Sequence, residues 1–314
     1  MKILVAGFGA MGCRHAQSIL ESGLHEVYVA EPDTAKFENG LAAINASPAS
    51  IRRRYISVEE AGDNTDLAII ATSSHPRFRI VKTLLEKGVK RFLLEKIVFQ
   101  SPAQFDEIIE LAKEKKAGAW CNFVNRYFEN YISLRQIMEK RSQPLSMHVT
   151  GGNFGLGSNA VHYADIFEYL TGSAINITSS CLQLSGEINR RGKQYVEFTG
   201  GLYGNNMRGD IFTLHADSSH STAPVITLCC GKNIFQLHQG SGKETDYSEP
   251  GTHEKEFRII PSSILTARII DDIFSGQTVL TPLHETRNTH TALFTHFNAA
   301  AGLENKYETL CPVT

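Results

Sequence analysis

Six residues near the N-terminus, Gly7-Phe8-Gly9-Ala10-Met11-Gly12, have the spacing with which a backbone turn holds a pyrophosphate. The first glycine permits a tight turn, the second lets main chain approach the phosphates, and the third lets the next helix pack on the preceding strand. Helix N–H groups without intrahelical partners then face the anion, helped by the positive end of the helix dipole. Glu31, nineteen residues after Gly12, ends a second apolar run. A carboxylate roughly 20 positions past such glycines accepts the adenine ribose hydroxyls. The competing reading of Glu31 is a cap on the turn formed with Pro32 and Asp33. A carboxylate there repels a 2′-phosphate, so NAD is expected over NADP. Arg52-Arg53-Arg54 reads as a solvated face.

A bound dinucleotide raises the question of protons, because taking hydride from a secondary alcohol requires its hydroxyl proton to leave too. Lys96 follows the apolar run Arg91-Phe92-Leu93-Leu94 and Glu95. At a sheet's carboxyl edge an ammonium can polarise an oxygen or relay its proton. Read alone, Glu95-Lys96 is first a surface ion pair. His162, with an ordinary pKa of about 6.5, suits proton exchange near neutral pH. On a helix Ser158, His162 and Asp165 stand at i, i+4 and i+7 and share one face. Read alone, His162 is a packing residue. Arg126 offers a guanidinium to a substrate, or equally ends a surface helix.

These residues need elements to place them. Apolar runs at Lys2–Ala6, Glu26–Ala30, Tyr55–Val58, Asp66–Thr72 and Arg91–Leu94 alternate with helical patterns through residue 121. That alternation predicts a doubly wound α/β domain over 1–121 whose ligands sit outside the carboxyl ends of the strands, where Thr72, Ser73 and His75 fall. Ser101-Pro102-Ala103-Gln104 carries the signals of a helix start. From 122 to 314 the pattern changes to strands that follow strands, which predicts an α+β domain with a mostly antiparallel open sheet. Ser241–Lys255 reads as a surface loop, Phe257–Ile260 as a strand, and the last helix is free to pack back on the first domain.

Composition narrows the classes. At 42% apolar and 20% charged residues over 314 positions, the chain reads as an ordinary globular protein of two domains. A formal net charge of -2 gives no polyanion surface, so nucleic acid is not an expected partner. Six scattered cysteines without a CxxC pair indicate neither a zinc knuckle nor a disulfide framework. The terminal helix carries His284, His290 and His296, but a six-residue step rotates each by about 600°, so they share no face and no metal is expected. No run reaches membrane-spanning length. The expected location is the cytoplasm.

Four stretches, GFGAMGCRH, Asp66–Thr72 with its following serines, Leu94-Glu95-Lys96, and Asn159–Asp165, together resemble the Gfo/Idh/MocA family of nicotinamide-dependent oxidoreductases over nearly the whole chain. The resemblance implies a Rossmann domain and hydride transfer at a sugar, cyclitol, nucleotide-linked sugar or related carbinol carbon. It implies that Lys96 and His162 are catalytic and that Arg126, Ser158 and Asp165 contact substrate. It further implies that Gly7, Phe8, Gly9, Ala10, Met11, Gly12, Glu31, Thr72, Ser73, His75 and Glu95 line the cofactor, and that the chain forms a homodimer or homotetramer. Two positions depart from the pattern. Ser158 replaces an aspartate that would orient the histidine, and Ile97 replaces the proline after the lysine. They keep open a catalytically inactive dinucleotide-binding sensor, as the same scaffold keeps open an imine or keto-acid reductase.

Overall fold

A computed structural model describes residues 1–61, 64–186, 189–248 and 251–314. Its first sheet takes the apolar runs in turn: β1 (Lys2–Ala6), α1 (Ala10–Ser22), β2 (Glu26–Ala30), α2 (Thr34–Ala43), β3 (Arg53–Tyr55), β4 (Leu67–Ile70), α3 (Ser74–Glu86), β5 (Arg91–Leu94), α4 (Pro102–Glu114) and β6 (Gly118–Cys121). The strands are parallel in the order β3-β2-β1-β4-β5-β6. Every residue of β4 is buried, as expected for a strand covered by helices on both faces. Strand order reverses between β1 and β4, which is where ligands of such sheets bind. Register aligns Ala6 with Ala30 and Ile70, Ile70 with Leu94, and Leu94 with Cys121. The residues that follow these five therefore leave the sheet along one edge.

Two local expectations need correction. The third strand forms at Arg53–Tyr55 instead of Tyr55–Val58. The arginines are also not simply solvated: Arg54 donates to the Glu31 carbonyl at 3.0 Å and lies over the Phe37 ring, while Arg53 lies over Tyr55. Long cationic side chains spread over aromatic faces while keeping their charge near water, which hides an edge strand in a charged run. α3 begins at Ser74.

The chain continues through α5 (Glu129–Glu139), β7 (Ser146–Gly151), α6 (Leu156–Thr171), β8 (Asn176–Leu184), β9 (Phe198–Asn205), β10 (Ile211–Ala216), β11 (Val225–Cys230), β12 (Asn233–His238), β13 (Lys243–Asp246), β14 (His253–Glu256), α7 (Ser262–Ser275) and α8 (Leu283–Ala300). The eight strands order as β14-β13-β12-β11-β7-β10-β9-β8, antiparallel except for β7 beside β10. Alternate residues Phe212, Leu214 and Ala216 are buried, and α6 packs over β9 and β10. On the opposite face, register lines up Tyr203, Thr213, His148, Thr227 and Gln236 in one row and Ile211, Ser146, Cys229 and Ile234 in the next. Neither row contains Asp, Glu, Lys or Arg.

Within the expected loop Ser241–Lys255, β13 and β14 form a hairpin, and Phe257–Ile260 is not a strand. Glu249 and Pro250 of that stretch lie outside the described residues. Cross-strand pairs Lys243–Glu254 at 2.9 Å and Lys255–Glu244 at 3.0 Å stitch the hairpin. Glu244 is buried and accepts from Asn130 Nδ2 at 2.6 Å. Charged edge strands resist pairing with other chains and lack apolar alternation, so composition conceals them. Phe257 is instead a buried anchor set edge-on to Tyr131.

Contacts gather Met1–Val124 with Ile260–Glu285 into one unit, and Asn125–Ile259 with Thr286–Thr314 into the other. The sequence reading divided the chain at 121/122. Packing brings α7 back to the first unit, against α1, where Ala267 N–H donates to Ser18 Oγ at 3.1 Å. Among the described residues no helix is long and apolar enough to cross a membrane.

Candidate active site

The glycine turn has the shape its spacing predicts. Gly7 adopts φ +87°, and a Cβ there would meet Thr72 at 2.8 Å. A Cβ on Gly12 would lie 1.9 Å from the Gly7 carbonyl oxygen, a clash with backbone that no side chain avoids. Around Gly9 a Cβ would meet nothing within 4 Å, and Gly9 caps α1 without a side-chain hydrogen bond or an acidic residue in the first turn. Open space before bare helix N–H groups suits a pyrophosphate. Ala10 is exposed and Met11 half-buried at this end.

Glu31 is buried, with Oε2 accepting from Phe8 N–H at 2.9 Å and Oε1 from Asp33 N–H at 3.0 Å. It ties β2 to the glycine turn and caps the turn at Asp33. Phe8 has its fully buried ring packed on Phe37 and closely against Gly40, while its backbone belongs to the turn. Across the edge, Thr72 and Ser73 are half-buried, Ser73 caps α3, and His75 is exposed in the first turn.

The next strand end presents Lys96. From Phe92 to Ser101 it is the one residue not buried. Arg77, 2% exposed, donates from its guanidinium to the carbonyl oxygens of Thr72, Glu95 and Ile97, fixing backbone on both sides of the lysine. The Lys96–Ile97 peptide is cis. Glu95 stands just before this peptide. Its buried carboxylate turns inward, Oε1 taking hydrogen bonds from Asn122 Nδ2 at 2.6 Å and His15 Nε2 at 3.0 Å. Burial raises its pKa, but His15, Arg77 and Asn122 outweigh that and hold it at about 2. His15 Nδ1 meets Thr266 Oγ1 at 2.8 Å, and that hydroxyl donates to Ser262 O at 2.7 Å, so the imidazole donates at Nδ1.

In the other unit α6 carries His162 beside a cavity of about 230 Å³ lined by Asn125, Phe128, Phe154, Asn159, His162, Tyr163, Pro224, Gln239 and Ile259. Ser158, half-buried one turn earlier, donates its hydroxyl and its N–H to Glu197. Asp165 and Arg126 face each other. Asp165 is fully buried and takes both Nε, at 3.0–3.1 Å, and Nη2, at 2.8 Å, from Arg126. Burial lowers the pKa of Arg126, but Asp165 outweighs it and the net shift is upward. Arg126 and Arg135 both lie over the Tyr169 ring. Glu168 accepts from Thr289 Oγ1 at 2.6 Å and Ile175 N at 2.9 Å, yet burial raises its pKa to about 7.

Sequence reasoning missed Arg77, His15 as a partner of Glu95, Asn122, Thr266, Glu197 and Gln239. Only Asn122 left a local signal, a polar residue directly after a strand that ends at the ligand edge.

Residues 1–123 match the model of the Gfo/Idh/MocA oxidoreductase family with an NAD-binding Rossmann fold. Solved structures share the whole fold at low identity. An Agrobacterium radiobacter oxidoreductase, in complex with NAD+, L-tartaric acid and magnesium, is 12% identical with TM-score 0.76, each chain covered to 96%. UDP-N-acetylglucosamine 3-dehydrogenase from Acidithiobacillus ferrooxidans is 15% identical with TM-score 0.75, over 97% of this chain and 99% of that one. The WlbA dehydrogenase of Bordetella pertussis, in complex with NADH and UDP-GlcNAcA, is 14% identical with TM-score 0.73, each chain covered to 96%. Among curated proteins none matches by sequence. Over residues 1–123 the chain is similar to the NAD-binding Rossmann domain of the Gfo/Idh/MocA oxidoreductase family.

Proposed function

We propose that this chain is an NAD-dependent oxidoreductase that transfers hydride between the nicotinamide and a carbinol or carbonyl carbon of a sugar, cyclitol or nucleotide-linked sugar. The observation that carries this reading is Lys96, alone unburied in its segment, on the same sheet edge as the glycine turn and with its backbone clamped by Arg77. Bound NAD supplies the hydride acceptor or donor. The protein supplies the rest: the α1 N-terminus and Glu31 hold the cofactor, with Thr72, Ser73 and His75 along the same edge. Lys96 polarises the substrate oxygen, and His162 takes or returns its proton. In the oxidative direction the carbon loses hydride while the hydroxyl loses its proton, so atoms and charge balance. Ser158, one turn before His162 on α6, is proposed to help position the substrate. The neighbours named for UDP-sugars support the substrate class.

The two rows without Asp, Glu, Lys or Arg on the outer face of β7 and β9–β12 favour self-association, so the assembly proposed is a homodimer or homotetramer. Six free cysteines fit a reducing compartment, and the cytoplasm is the proposed location.

The test separates binding from turnover. NADH binding is followed by fluorescence, and NAD reduction is assayed against sugars, cyclitols and UDP-sugars. Lys96→Ala and His162→Ala are expected to lower kcat at least 100-fold while NADH affinity stays within twofold. NADH binding without turnover of any compound would sink the enzyme reading and favour a dinucleotide sensor.

A further inference from the structure

Arg77, near the start of α3, buries its side chain where β4 and β5 end. Sheet hydrogen bonds extend to Ala71, whose N–H donates to Ala6 O at 2.8 Å, and to Glu95, whose N–H donates to Ile70 O at 3.1 Å. The guanidinium collects carbonyls just past those points. Its Nη2 donates to Thr72 O, and its Nη1 donates to both Glu95 O and Ile97 O. One nitrogen thus brackets Lys96 on both sides, while the other nitrogen of the same planar group holds the end of the neighbouring strand. That end also walls the glycine turn, because a Cβ on Gly7 would stand 2.8 Å from Thr72 Cγ2.

Water or neutral donors can satisfy three carbonyls, whereas a buried guanidinium gives up its hydration. Its charge acts on the buried Glu95 carboxylate, which His15 and Asn122 also hold. What a guanidinium adds over an ammonium is a rigid plane with donors at fixed angles. Here that plane fixes a spacing between Thr72 on one strand end and Lys96 on the next.

Resting on the reading of Lys96 as the group that polarises the substrate oxygen, we propose that Arg77 is its positioning residue. The buried guanidinium sets where Lys96 stands relative to Thr72 and the glycine turn, and acts on the reaction only through that placement.

Two variants test this. Arg77→Lys keeps the charge and loses the plane; Arg77→Ala keeps a good helix former in α3 and leaves room for a free guanidinium ion. NADH affinity is measured by fluorescence, and kcat with the fastest of the sugars, cyclitols and UDP-sugars. The placement of Lys96 is read without turnover, by NMR of NADH-loaded protein whose lysines carry 13C-methyl groups, the Lys96 signal being assigned with Lys96→Arg. Both variants are expected to lower kcat at least tenfold with NADH affinity within twofold of wild type. In Arg77→Ala the Lys96 signal is expected to move toward the exposed lysines. Millimolar guanidinium should return that signal and raise kcat at least fivefold, and methylammonium should do neither. An unmoved Lys96 signal, wild-type kcat in Arg77→Lys, NADH affinity falling in step with kcat, or equal rescue by methylammonium would each overturn the proposal. Loss of the fold in both variants would overturn it too, by showing that the arginine serves stability. If wild type turns over no compound, the oxidoreductase reading falls, while movement and guanidinium rescue of the Lys96 signal still support the placement by Arg77, so the two failures are distinguishable.

Discussion

Ser158 gives Glu197 both its backbone N–H, at 3.2 Å, and its side-chain hydroxyl. Glu197 comes from the segment entering β9, and Gly157 lets it close in: a Cβ there would stand 3.0 Å from Oε2. A carboxylate therefore does stand at the start of α6, supplied from another element at the positive end of the helix dipole, although position 158 itself has none. Replacing Glu197 with Gln should cost about 1 kcal/mol, the scale of a lost helix cap. A cycle with Ser158→Ala should show coupling of about 0.5–3 kcal/mol by chemical denaturation. Additive single effects would show that the contact carries no energy.

The glycine turn predicts opposite outcomes for two small substitutions. Gly9→Ala meets open space, so the melting temperature without cofactor should hold, while NADH affinity should fall at least tenfold. Gly12→Ala meets the Gly7 carbonyl and should lower the melting temperature itself. Thermal scans with and without NADH separate the two, and equal loss of stability in both variants would contradict the cradle geometry.

Glu95→Gln removes the acidic partner of the buried His15–Glu95 pair. Removing one partner of such a pair costs about 3–5 kcal/mol. The wild-type carboxyl is held at about 2 against a usual 4.5, so its contribution is present above 4.5 and is lost as pH falls toward 2. Denaturation at pH 7 and pH 3 should show a large difference from wild type at the first and a smaller one at the second. The same penalty at both would rule out ionised Glu95.

Glu168 predicts the reverse sign. Burial raises its pKa to about 7, so the folded state favours the neutral acid below 4.5 and loses that advantage as pH rises through 7. The shift corresponds to roughly 3 kcal/mol at about 1.36 kcal/mol per pH unit. Glu168→Gln, a neutral isostere able to bond Thr289 and Ile175, should match wild type at pH 5 and exceed its melting temperature at pH 8. No gain at pH 8 would mean that the carboxyl ionises at its ordinary pH.

The sequence by itself determined the parts whose physics is local. An apolar strand, three spaced glycines and a helix start are encoded within a dozen residues, and β2 places Glu31 beside them because parallel pairing with β1 aligns Ala30 with Ala6. The alternation of runs likewise set the doubly wound sheet and the change to an antiparallel one. Tertiary structure decided what the polar side chains touch. His15 meets Glu95 across 80 residues and Thr266 across 251, Arg126 spends its charge on Asp165, and Ser158 finds Glu197. Sequence spacing carries helical and strand periodicity but no partner across such distances, and a buried charge takes whichever counter-charge packing brings within reach. The same reason separates Lys96 from Glu95: adjacent in the chain, one is the single unburied residue of its segment and the other a buried structural anion.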